Sequence, residues 1–302
     1  MNTIFFNKTD GKLRSGWRAA LFLFTFLFLA YFLIFGTIAV LSQIQLGESA
    51  ASYLPLAVPF VISTALAIIL GWLFGKVFES LPFSALGCSF SRVAVRNLAI
   101  GFLVGGVTLA VAVLIAVVAG GMTITLNSAS SSGAIATTLL TALVVLIAGA
   151  ASEETLFRGY LLQTFTRSAL IPVGVGFTSL LFAFAHNANP GANPLAMFNT
   201  FIAGIWFAAA YLKTRDLWFP FGMHLMWNWL QGPVFGINVS GLSSFAPDPL
   251  LKATDTGPVW LTGGTYGIEG GIACTVALLI SIGAIYFPPK SIYPQINTDT
   301  HR

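Results

Sequence analysis

The feature that most constrains this sequence is a series of long apolar runs separated by short polar breaks. Several runs reach the ~20 residues needed to cross a bilayer core of ~30 Å. Of the 302 residues, 56% are hydrophobic and 8% are charged, whereas a soluble domain carries about 25% charged residues. A soluble globular fold is therefore disfavoured, and the sequence predicts an all-α polytopic membrane helix bundle.

Runs bounded by Gly, Pro, Asn and charged residues predict about eight transmembrane helices, with an active site in a polar cavity between them. The first run is longer than a signal-peptide core, so we expect a retained anchor. We expect three N-terminal helices in 1–134 and a catalytic region with five helices in 135–302, within one membrane-embedded domain. The predicted spans are 17–41, 54–73, 98–118, 135–157, 173–186, 195–212, 217–234 and 268–286.

The basic residues predict the orientation of these spans. Of the 14 Lys and Arg residues, all but Lys252 fall on the side of the N-terminus. Because short cytoplasmic loops are enriched in Lys and Arg, both termini are predicted to be cytoplasmic. In a prokaryote the membrane would be the plasma (inner) membrane. The basic residues are spread over several loops, so nucleic acid is not an expected partner, whereas the lipid bilayer is.

Charged and polar side chains inside three of the spans are the candidate functional residues. An ionised side chain near the bilayer centre costs at least ~2.5 kcal/mol on insertion scales, so such residues normally face a bundle interior or a wet cavity. The spacings 154/158, 182/186 and 224/228 are all i,i+4 and place both members of each pair on one helix face. The residues are Glu153, Glu154 and Arg158 in the fourth span, His186 in the fifth, and His224 with Asn228 in the seventh.

These residue types suit hydrolysis by activated water. A carboxylate beside a neutral imidazole in a low-dielectric cavity can accept a proton from water. A second imidazole with an amide on the same face can donate hydrogen bonds to a developing oxyanion. The chain has no GxSxG, no paired aspartates within spans and no HExxH, which disfavours serine, aspartic and zincin-type intramembrane proteases.

The three motifs resemble those of the CPBP family, which comprises CAAX proteases and bacteriocin-processing enzymes, also called Abi proteins, and includes the type II CAAX prenyl endopeptidases. The EExxxR motif stands at 153–158, FxxxH runs from Phe182 to His186, and HxxxN/D runs from His224 to Asn228. Three motifs in this order, each at a membrane span, are specific together although each alone is weak. The region that bears them, about Ala150 to Leu230, covers just over a quarter of the chain.

The resemblance implies an intramembrane endopeptidase in which a glutamate and a histidine activate water. Glu153 would be the general base and His186 its partner, while His224 and Asn228 would form the oxyanion hole. Glu154 and Arg158 would be an ion pair that orients the fourth span and contacts the substrate. Phe182 would support the site.

Several alternatives stay open at this stage. We expect no cofactor, but Glu153, His186 and His224 are also a possible three-ligand zinc set. A non-catalytic scaffold or chaperone of the same fold is the main rival function, and a transporter is a weaker one. The expected partner is a protein or peptide substrate at the membrane, prenylated or not. One conflict concerns depth, because span counting puts Glu153 near the cytoplasmic end of its helix and His186 near the external end of the next.

Overall fold

The computed structural model describes residues 4–7, 11–44 and 48–287, and within these it is mostly helical. The helices follow the apolar runs, because a helix satisfies every backbone polar group within its own segment. The helices are α1 (Ser15–Leu41), α2 (Glu48–Glu79), α3 (Arg92–Val118), α4 (Ser132–Glu154), α5 (Leu162–Arg167), α6 (Ile171–His186), α7 (Pro194–Thr214), α8 (Trp218–Trp229), α9 (Val259–Thr262) and α10 (Ile272–Tyr286).

A helix lies at each of the eight predicted runs, but their lengths differ. Five helical segments in the described part of the chain are long and apolar enough to cross a membrane: Ser15–Leu41, Leu54–Glu79, Arg92–Val118, Ser132–Arg167 and Pro194–Thr214. Two others, α6 and α10, are shorter apolar helices. The structure therefore supports a helical protein with five candidate spans, and the count of eight stays a prediction, as does the division at residue 134.

The fourth helical segment is longer than the predicted span. Helix α4 continues through a π-helical turn, Thr155–Leu161, into α5, so that Ser132–Arg167 forms one run of 36 residues with a kink at Gly159. Glu153 therefore lies in the interior of a long helix and not at its end. This length places Glu153 beside the end of α6, 3.9 Å from His186, so the two residues lie together although span counting separates them.

A small β-sheet corrects the purely helical prediction. Strands β1 (Met122–Leu126) and β2 (Leu251–Asp255) pair antiparallel, with Met122 opposite Asp255 and Leu126 opposite Leu251. Five-residue strands give little periodic signal, and these two lie far apart in the chain, so the sequence does not predict their pairing. The sheet joins the loop after α3 to the long segment before α10.

Of the predicted cytoplasmic cations, Lys8, Lys290 and Arg302 lie outside the described residues.

Helices α3 and α8 pack with their backbones in close contact, which positions the helix that carries His224. A Cβ atom at Gly101 would overlap the carbonyl oxygen of Phe219, and one at Gly105 would overlap that of Met223. These glycines are therefore needed for helix contact, a use of small residues that is common in membranes. Met223, which Gly105 faces, directly precedes His224.

Candidate active site

The end of α4, the end of α6 and the middle of α8 meet around one cavity of about 390 Å3. Five of the predicted site residues line it: Glu153, Phe182, His186, His224 and Asn228. Most of the other lining side chains are apolar. The structure thus brings together residues that are up to 75 positions apart, from 153 to 228, in the sequence.

Glu153 faces both histidines. Its Oε2 atom lies 3.9 Å from His186 Nε2 and 3.8 Å from His224 Nε2, which is longer than a direct hydrogen bond. That oxygen is buried and has no hydrogen-bond partner among the described residues. The gap between this carboxylate oxygen and each imidazole ring is therefore one that a single water molecule can bridge.

The ring of His186 is oriented by its own helix. Its Nδ1 atom lies 2.8 Å from the carbonyl oxygen of Phe182, one turn earlier. A carbonyl oxygen can only accept, so Nδ1 carries the proton and donates it, and in the neutral ring Nε2 presents a lone pair toward Glu153. The Phe182 ring also packs on the imidazole, with 4.7 Å between ring centroids.

A buried ionic network contacts His224 on the side of its ring that faces away from the cavity. Glu154 Oε1 lies 2.9 Å from His224 Nδ1 and accepts a hydrogen bond from Arg158 Nη1 at 3.0 Å. The side chains of Glu154 and Arg158 are each only 1% exposed, and Arg158 Nη2 also donates to the Gly204 carbonyl oxygen. The predicted ion pair is thus present, and it points away from the cavity toward the His224 ring.

Two phenylalanines enclose this network. The guanidinium carbon of Arg158 lies 4.7 Å from the Phe182 ring centroid and 4.9 Å from that of Phe207, which is within cation–π range. Phe207 also stacks on His224 at 4.7 Å and 20°. Phe182 therefore contacts both His186 and Arg158, whereas Phe207 is a site residue that the sequence does not predict.

Glu269, which the sequence motifs do not single out, lies before α10 and also lines the cavity. Its Oε2 atom accepts hydrogen bonds from the backbone N–H of Ser240, from Ser240 Oγ at 3.0 Å and from Gln231 Nε2 at 3.1 Å. Asn189 donates to the Ser240 carbonyl oxygen. These contacts hold the segment after α8 against the cavity. A carboxylate at the start of an apolar run is the one signal in the sequence that points to it.

The fit of a metal ion can be judged from the donor atoms. In the described part of the chain, no group of three His, Cys, Asp or Glu residues is arranged to hold a metal ion. Two ligand atoms that bind zinc at about 2.0–2.1 Å with a tetrahedral angle between them lie ~3.3 Å apart. The two N···O distances at Glu153, 3.8 and 3.9 Å, are longer than this. In this structure the predicted alternative set of Glu153, His186 and His224 is therefore spaced more widely than the ligands of a zinc site.

The apolar helices and the carboxylate–imidazole cluster define the class of this molecule, a helical integral membrane protein with a buried ionisable site. Residues 135–230 match the family model described as type II CAAX prenyl endopeptidase Rce1-like. This match to a protease family confirms the resemblance predicted from the three motifs, and it covers Glu153, His186, His224 and Asn228. No curated protein and no solved structure matches the chain.

Proposed function

We propose that this protein is an intramembrane endopeptidase that hydrolyses a peptide bond with water activated by Glu153 and His186. The observation that carries the proposal is the position of Glu153 Oε2, which has no hydrogen-bond partner among the described residues and faces both Nε2 atoms. The family match in residues 135–230 supports the choice of a peptide as substrate.

In the proposed reaction, Glu153 accepts a proton from the attacking water, and His186 Nε2 accepts a hydrogen bond from the same water. The water oxygen bonds to the peptide carbonyl carbon, and the carbonyl oxygen becomes an oxyanion. Glu153 then transfers its proton to the leaving nitrogen as the C–N bond breaks. The products are a carboxylic acid and an amine, so one carboxylate serves as base and then as acid.

His224 is proposed to bind the oxyanion in its protonated form, together with the Asn228 amide. Its Nδ1 faces the Glu154 carboxylate, so Nε2 can donate only when both ring nitrogens carry protons. Two carboxylates and one guanidinium leave an excess negative charge in this buried cluster, which a His224 cation neutralises. The residue pattern alone predicts a neutral donor. The arrangement favours a charged one, which stabilises an oxyanion more strongly.

We propose a metal-free mechanism, supported by the wide donor spacing around Glu153 and by the lack of a three-ligand group in the described residues. Zinc dependence is the alternative that a chelator distinguishes.

We further propose eight spans with both termini in the cytoplasm. The substrate would be a peptide segment at the membrane, either a prenylated CAAX tail or a leader peptide, because most of the cavity wall is apolar.

The test is peptide cleavage by detergent-purified protein, with a prenylated CAAX peptide and a mixed peptide library as substrates. We expect cleavage by the wild type, a loss of about a hundredfold or more in Glu153→Gln and His186→Ala, and no effect of a chelator. Asn187→Ala serves as the matched control, because Asn187 is exposed and adjoins His186 without lining the cavity.

Loss of cleavage with chelator would replace the metal-free mechanism by a zinc enzyme. Absence of cleavage by a well-folded wild type on every substrate would contradict the protease and favour a scaffold. A flux of protons or solute altered by Glu153→Gln would favour a transporter.

A further inference from the structure

A second cavity, separate from the catalytic one, lies beside the start of α1. It has a volume of about 600 Å3 and is bounded by the segment before α1, the end of α2 and the turn between α5 and α6. Among the described residues, four cationic side chains and one carboxylate line it: Lys12, Arg14, Arg18, Arg167 and Glu79. Positive charge therefore exceeds negative charge in the described part of the lining.

Glu79 organises two of these cations without neutralising both. Its Oε1 lies 2.9 Å from Arg18 Nη1, and its Oε2 lies 2.8 Å from Arg167 Nη2. One carboxylate thus holds two guanidinium groups in fixed positions. The Arg18 side chain is only 8% exposed, and its Nε has no hydrogen-bond partner among the described residues. Arg18 Nη2 also donates to Ser168 Oγ at 3.0 Å. Because two guanidinium groups share one carboxylate, one positive charge is left that an anionic ligand would balance.

The start of α1 adds further donors to the same cavity. Ser15, its first residue, lines the cavity, and no side chain caps this helix end in the described structure. The first N–H groups of a helix lack acceptors within the helix and carry the positive end of its dipole, which suits a phosphate group. The N-terminal end of α1 and the guanidinium groups therefore line the same cavity.

The surroundings indicate a lipid as the source of that phosphate. Trp17 is 42% exposed, donates to the Ile4 carbonyl oxygen and packs against Phe5 at 5.0 Å. Tryptophan with its polar edge satisfied is typical of a membrane interface. From there, Leu21 and Phe24 continue along an exposed apolar face of α1. In the predicted orientation this end of α1 is cytoplasmic, where basic pockets between helices bind anionic headgroups.

We propose that this cavity binds the phosphate headgroup of an anionic phospholipid, with Lys12, Arg14, Arg18 and Arg167 as its cationic contacts and the acyl chains along α1. The inference depends on the membrane placement and not on the proteolytic mechanism.

The test is native mass spectrometry of the delipidated, detergent-purified full chain, titrated with phosphatidylglycerol, phosphatidylcholine or inorganic phosphate. We expect one phosphatidylglycerol to bind at least about tenfold more tightly than phosphatidylcholine, since each basic residue near an anionic headgroup contributes substantially to the binding affinity. Lys12→Gln combined with Arg14→Gln should reduce that affinity by about tenfold. Both side chains are exposed, so this double variant should fold.

The matched control is Arg92→Gln combined with Arg96→Gln, which removes two exposed cations on the same predicted side at the start of α3. This control variant should bind phosphatidylglycerol as tightly as the wild type does. Equal affinity for the two lipids, or equal loss in the two double variants, would overturn the proposal. Displacement of the lipid by millimolar inorganic phosphate would also overturn it, because the site would then be one for a free anion.

Discussion

The Nδ1 atom of His224 and the Oε1 atom of Glu154 are 2.9 Å apart, behind the cavity wall. The same carboxylate oxygen accepts from Arg158. The neighbouring Glu153 has a buried oxygen without such a partner among the described residues, and it faces the cavity. Adjacent glutamates on one helix thus have opposite surroundings, because successive side chains are about 100° apart around the axis.

This contrast predicts opposite effects of the same substitution. Glu154→Gln should lower the stability of the detergent-purified protein by about 3 kcal/mol, because it leaves Arg158 buried beside a neutral amide. Glu153→Gln should leave stability nearly unchanged, since no close ion pair is lost, while it abolishes hydrolysis. Thermal unfolding and cleavage of the same samples measure the two effects. Equal melting temperatures for the two variants would contradict this assignment.

The contact between α3 and α8 predicts sensitivity at Gly105. Gly105→Ala should separate the two helices and cost about 1–3 kcal/mol, as overpacking does elsewhere. It should also lower catalytic turnover, because α8 carries His224. The matched control is Gly36→Ala, also within a helix, where an added Cβ would meet no atom within 4 Å. Similar stability of the two variants in thermal unfolding would show that α3 and α8 are not in close contact.

Glu269 is predicted to keep the segment after α8 in place. Glu269→Ala removes the acceptor for three hydrogen bonds from Ser240 and Gln231, at a cost of about 1–3 kcal/mol for each buried donor left unpaired. Hydrogen exchange should accelerate at Ser240 and its neighbours, and KM should rise more than kcat falls. Asp255→Asn, at the exposed end of β2, is the control. Unchanged exchange at Ser240 would refute the role.

The proposed orientation can be tested by thiol labelling of intact cells. In a background of Cys88→Ser and Cys274→Ala, Ser128→Cys should react with a membrane-impermeant reagent, whereas Ser84→Cys should react only after permeabilisation. Both serines are exposed and lie on opposite predicted sides. Reaction of Ser84→Cys in intact cells would reverse the predicted topology.

The sequence is most informative where the chemistry of a side chain conflicts with its environment. Ionisable residues are rare in apolar helices, so Glu153, His186 and His224 stand out from the residue pattern alone. Glu269 does not stand out in this way, because its role depends on contacts with the segment around Ser240 that tertiary folding creates. The same holds for the β1–β2 pairing. The charge of His224 likewise depends on which ring nitrogen meets Glu154, and spacing alone does not specify this.

Helix α6 has 16 residues and is therefore about 24 Å long, less than the ~30 Å hydrocarbon core. In the proposed arrangement its last residue, His186, and the asparagine-rich turn that follows it would lie below the membrane surface. A short helix of this kind is accommodated by local thinning of the bilayer. The lipid boundary beside the site would then be depressed, which would shorten the distance that water and a hydrophilic peptide segment travel to reach Glu153.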